Sequence, residues 1–158
     1  MSWISTGTEV EQTRLQKADD DLTATMLGEE LAALRHRPEL AQKYAHFLAA
    51  VGENRAVPPR LTELLQRRIR CIHGLALSPA VGLNEVEDKA LQAGEVTVFS
   101  ALEQAVLRVA EQMPYAHDQI DDETVAQLQH ELGAEAVVVL LVAAAFYDVN
   151  CRLALCLS

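Results

Sequence analysis

Apolar residues recur along this chain at intervals of three and four rather than two, the repeat that lays a single stripe along an α-helix. From Asp20 onward Leu22, Met26, Leu27, Leu31 and Leu34 keep that spacing and predict a first helix, which yields to the basic connector Arg35, His36, Arg37 before Pro38. Leu40, Tyr44, Phe47, Leu48 and Val51 draw a second stripe, stopped by Gly52. Pro58 and Pro59 stand in the first turn of a third helix, where proline is tolerated. Its apolar face is Leu61, Leu64, Leu65, Ile69 and Ile72, and Glu63, Gln66, Arg67 and Arg70 lie on the other face.

Gly74 and Ser78-Pro79 break that helix. Asn84 with Glu87, and Ser100 with Glu103, then repeat one device: a short polar side chain and, three residues on, an acid that together satisfy the free N–H groups of a helix start. The first opens a short helix ending at Gly94; the second opens one with Leu102, Val106, Val109 and Met113 as its apolar positions, closed by Pro114. Asp121 caps the next, with Val125, Leu128 and Leu132 inward, and Gly133 precedes the last and most apolar helix, Ala134 to about Leu157. The β-branched run from Val137 to Val142 would also suit a buried strand, but the segment's length and its alanines favour helix. The expectation is therefore an all-α fold of about seven helices. Residues 1–19 are polar and without period, so they are expected to form an N-terminal arm ahead of a domain over residues 20–158.

Composition sharpens this. Half the residues are hydrophobic but only three Phe, three Tyr and one Trp are aromatic, so the core must come from Leu, Val and Ala, as in packed helices. Thirteen basic against 23 acidic residues leave a net charge of −10, which repels phosphate backbones and anionic head groups, so neither nucleic acid nor a membrane surface is an expected partner. No leader-like apolar run opens the chain, the uncharged stretch from Ala136 to Tyr147 is too short to span a bilayer, and the three cysteines are an odd number; the expected compartment is cytoplasmic. His36, His46, His117 and His130 lack the spacing of a metal site, and neither a metal nor a cofactor is implied. Arg35, Arg37 and Lys43 form a basic patch better read as a solvated loop and helix start than as an anion site.

Three segments in order, VPPRLTELLQRRIRCIHG (57–74), GLNEVEDKALQAG (82–94) and the stretch from Ser100 to Leu157, resemble the carboxymuconolactone decarboxylase family, which includes the AhpD-like alkylhydroperoxidases. The resemblance spans roughly residues 38–157 and implies an all-helical domain assembled into homo-oligomers. It also implies a site: a Cys-x-x-Cys pair, a histidine four residues beyond it and a glutamate twelve before it, with a thiolate attacking peroxide and the second cysteine resolving the sulfenic acid. Glu63 matches the glutamate, but the two cysteine positions fall on Leu75 and Ser78 and the histidine on Gly82.

The candidate catalytic residues are thus Glu63, Cys71 and His73. Glu63 is either the family's proton-handling carboxylate or an acid in a helix's first turn, paired with Arg67, and the second reading is favoured. Cys71, near Arg67 and Arg70, could be a thiol whose pKa is lowered by a cation, though a cysteine beside Ile69 and Ile72 is more often a small core residue. His73 reads as an ordinary helix-end histidine, and Cys151 and Cys156, about 140° apart on one helix, cannot bridge within it and are expected to pack. Three functions compete: a single-thiol antioxidant peroxidase, a decarboxylase-like acid–base enzyme using Glu63 on a small organic ligand, and a binding or assembly module that has lost catalysis. Loss of nucleophile and proton shuttle together favours the third.

Overall fold

The structure, a computed structural model, describes residues 14, 16–18, 20, 31–53, 55–79 and 82–157. All regular structure among them is helical, in line with the all-α expectation. Six α-helices run α1 (Pro38–Gly52), α2 (Pro59–Ile72), α3 (Glu85–Ala93), α4 (Ala101–Gln112), α5 (Asp122–Leu132) and α6 (Ala134–Leu157), with 3-10 turns at Ala32–His36 and His117–Gln119. Arg14, Gln16, Lys17, Ala18 and Asp20 are helical too. Two compact units result, Met1–Gly52 with Leu157–Ser158, and Glu53–Cys156.

In the first unit, most of the expected first helix, residues 21–30, lies outside the described residues, and its end is the 3-10 turn rather than α-helix. The stripe expected on α1 is only partly inward: Leu40 is 53% and Phe47 43% exposed, while the buried positions are Ala41 and Ala45.

The second unit is built around α2 and α4, the most closely packed pair of helices. Arg60 meets Glu103 and Arg68 meets Glu111. Both pairs are 43 residues apart in sequence, so the two helices run parallel in one fixed register, with α3 as the crossover. Leu61, Leu64, Leu65 and Ile69 of α2 and Ala105, Val106, Val109 and Ala110 of α4 are buried, a set of branched and small side chains that interdigitates without large aromatics. Pro58 caps α2 and Pro59 opens it, as its sequence requires.

Both capping boxes form. Asn84 Oδ1 accepts from the Val86 and Glu87 N–H groups while the Glu87 carboxylate accepts from the Asn84 N–H, and Ser100 and Glu103 do the same for α4. Asp121 caps α5 by accepting from the Thr124 N–H at 2.6 Å. Gly94 ends α3 with φ +76°, and a Cβ there would stand 2.7 Å from the Arg68 guanidinium, so both the left-handed backbone and the close approach call for glycine.

The last helix is 24 residues long and apolar enough by length and composition to cross a bilayer. Its inner side is a line of small and branched residues, Ala136, Leu140, Ala144, Cys151 and Ala154 among them, all buried. Asp148 bonds His73 at the end of α2, and Arg152 donates to the Pro114 carbonyl beyond α4 at 2.7 Å.

Arg60 also donates to Glu87 at 2.7 Å, so one guanidinium holds both capping acids. The bond from Arg60, helped by the Asn84 N–H, holds Glu87 below the usual carboxylate range. For Glu103, burial pushes upward, but the bonds from Arg60 and Ser100 outweigh it and the net direction is down. Carboxylates with lowered folded pKa stabilise above their unfolded value, about 4.3, and lose that contribution as pH falls through the folded one. Urea unfolding should therefore show stability holding to about pH 5 and falling toward pH 3. An Arg60→Gln variant should be less stable at pH 7 with the gap closing on acidification; a gap that stayed constant would remove these pairs from the account.

Candidate functional site

Glu63 and Cys71 lie on α2 and His73 at its end, and the geometry around them is set by arginines. Every long basic side chain on the polar side of α2 turns toward a later stretch of the chain. Arg60 donates to the Gly82 carbonyl at 2.8 Å, Arg67 to Ser78 at 2.7 Å, Arg70 to Ala76 at 2.6 Å and Arg68 to Leu91 at 2.9 Å. Residues 75–79 form no helix, and Arg67 and Arg70 supply donors to two of their carbonyls.

Arg67, placed by its sequence pattern on the polar face, is in fact 6% exposed at its side chain. Its main partner is Asp88 of α3 at 2.6 Å, and Glu63 one turn back is only 3.5 Å away, a marginal bond. Arg67 Nε is buried and makes no hydrogen bond. The expected Glu63–Arg67 pair is therefore the weaker half of an Arg67-centred cluster that a sequence window of four residues could not contain: Asp88 is 21 positions on. Tyr147 on α6 faces the same acid. Its phenol is pushed up by burial first and by the negative charge of Glu63 second.

Cys71 is half-buried, and its cationic neighbours do not bring its pKa down. Burial pushes its thiol up, and the opposing pull of Arg68 and Arg67 is too small to reverse that. The reason is visible in the geometry: Arg67 is already paired with Asp88, whose charge adds to the rise, and Arg68 with Glu111 at 2.9 Å. Cys151 is buried as expected, whereas Cys156 is exposed rather than packed, and none of the three cysteines forms a disulfide.

His73 belongs to a different cluster. It caps α2, its side chain is 4% exposed, and Nε2 shares a 2.7 Å hydrogen bond with Asp148 Oδ1. The other carboxylate oxygen of Asp148 accepts from Arg152 Nε at 2.9 Å, and Tyr115 stands beside both, its ring 5.9 Å from the imidazole and 5.6 Å from the guanidinium carbon. The imidazole is thus an interior strut between α2 and α6 rather than a solvated side chain at a helix end. No sequence signal announced it, since 75 residues separate the partners.

In the first unit, clefts of about 520 and 690 Å³ open at the start of α1 around Arg35, Arg37 and Lys43. Asp20 and Glu39 line them too, so the basic patch does not present an uncompensated positive field. Among the described residues no three His, Cys, Asp or Glu side chains gather as a metal site.

The chain matches no family model, no curated protein and no solved structure.

Two measurements check this geometry. Arg67→Ala leaves Asp88 Oδ1 and the Ser78 carbonyl without their donor, Asp88 Oδ2 keeping its bond from Gln92; because Asp88 is a quarter exposed, the loss should be about 2–3 kcal/mol in urea unfolding, less than for a fully buried pair. A loss below about 1 kcal/mol would class the cluster with ordinary surface pairs. Brief iodoacetamide labelling at neutral pH, read by peptide mass spectrometry, should modify Cys156 well before Cys71. Faster labelling of Cys71 would mean a thiolate that the surrounding charges do not explain.

Proposed function

We propose that the chain is a divergent AhpD-like protein, related to alkylhydroperoxidases, that serves in the cytoplasm as a homo-oligomeric binding or assembly module without two-cysteine peroxidase chemistry. The order of its three segments supports the kinship, and the fate of the segment after α2 supports the loss of activity. A two-cysteine relay needs one thiolate to break the peroxide O–O bond, becoming a sulfenic acid as the alcohol leaves, and a second thiol to displace water and close a disulfide. Leu75 and Ser78 stand where the resemblance puts those thiols. The observation that carries the reading is the bond from Arg67 to the Ser78 carbonyl: this position is used to fasten the chain through its backbone.

The single-thiol alternative meets the raised Cys71 pKa, since the protonated thiol is the poorer nucleophile. For the decarboxylase-like alternative, Glu63 has a guanidinium and a buried phenol nearby, so a small organic ligand reaching it would meet charge already partly answered.

With cumene hydroperoxide and a dithiol reductant, the protein should consume no peroxide above the rate of a cysteine-free carrier protein. Turnover in the wild type, whether lost or kept in Cys71→Ser, would overturn the reading; loss would assign the reaction to that thiol, and retention to another group. A thermal-shift series with small aromatic acids and lactones should show no stabilisation that depends on Glu63, and a shift abolished by Glu63→Gln would favour the acid–base enzyme.

A further inference from the structure

The two clefts of the first unit carry charges of both signs that do not answer each other. Asp20, Arg35 and Glu39 line the one of about 520 Å³, and Arg37, Glu39 and Lys43 the one of about 690 Å³. Among the described residues no ion pair joins any of these side chains. Glu39 and Lys43 stand one helical turn apart on α1, with the acid on the N-terminal side. Glu85 and Lys89 close a 2.9 Å pair on α3 at that same spacing and in that same order, so the open arrangement on α1 is a departure. Asp20 is held only by a neutral partner, the Gln16 amide at 3.1 Å.

Opposite charges that face one space without pairing select against any ligand of a single sign. An anion drawn to Arg37 and Lys43 meets Glu39, and a cation drawn to Asp20 and Glu39 meets the arginines. A molecule with both signs on a short skeleton answers both sets. Glu39 lines both clefts and receives its cationic end; Pro38 lines both as well. Leu40, 53% exposed, lines the larger, so an apolar surface lies beside the charges.

We infer that these clefts bind a small apolar amino acid as its zwitterion, with the ammonium on Glu39 and Asp20, the carboxylate on Arg37 and Lys43, and the aliphatic group over Pro38 and Leu40. The inference rests on the proposed binding role and adds its site and ligand class. It uses residues of the first unit alone, and none of Glu63, Cys71 or His73. Because exposed ion pairs are weak, the expected dissociation constant is on the order of 1 mM, and each lost charge should raise it about three- to fivefold.

L-Leucine titrated into the full-length, nitrogen-15-labelled chain should move the amide signals of Glu39, Leu40 and Lys43 along one saturable curve. Two leucine analogues each lack one charge: 4-methylpentanoate has no ammonium and 3-methylbutylamine no carboxylate. Both should bind at least about threefold more weakly than leucine, and so should glycine, which lacks the aliphatic group. Glu39→Gln and Lys43→Gln stand at exposed positions and should leave the remaining amide spectrum unchanged. The first should narrow leucine's advantage over 4-methylpentanoate, the second its advantage over 3-methylbutylamine. Absence of a saturable shift, equal binding of either single-charge analogue, or shifts confined to α2 and α6 would each overturn the inference. So would leucine binding indifferent to both variants. A chain that ignores leucine and consumes no peroxide would sink this site alone, whereas peroxide turnover by a chain that binds leucine here would sink the loss of activity alone.

Discussion

A guanidinium can hold a backbone carbonyl and a carboxylate at once, and the second unit of this protein depends on that capacity. After α2 ends, the chain runs through a stretch without helix, and carbonyls there need donors. Arg60, Arg67 and Arg70 supply them at Gly82, Ser78 and Ala76, and Arg68 supplies one at the end of α3. Three of these same arginines bridge to acids on α2, α3 or α4. Four of the chain's 13 basic residues thus sit on one helix, in an otherwise acidic protein, to fasten the crossover that leaves it.

This fastening explains why the candidate site has the properties it has. The cations that would have lowered the Cys71 pKa are bound to Asp88 and Glu111, so the thiol experiences burial more than charge. Glu63 is left with the weaker share of Arg67, whose guanidinium also holds the Ser78 carbonyl.

Features decided within four residues were legible in the sequence: the two capping boxes, the proline-led start of α2, the glycine end of α3 and the Asp121 cap all form where their spacing placed them. So was the α6 helix, since twelve apolar residues followed by more helix formers leave little room for a strand. What the pattern missed depends on distant partners. Arg67 reads as polar surface until Asp88 arrives to bury it, and His73 reads as a helix end until Asp148 arrives. On α1 the larger apolar residues are partly outward and two alanines inward, an offset of about one residue, or 100°, that a helical period alone cannot fix.

The Asp148 contact has a further consequence for the last helix. A cylinder that is apolar on every side has no preferred azimuth in a greasy core, because each turn about its axis exchanges one aliphatic face for another at little cost. One acid bonded to a fixed imidazole breaks that degeneracy. Held by His73 on one oxygen and Arg152 on the other, Asp148 turns its own side of α6 toward the end of α2, a bearing that greasy contacts alone would not select.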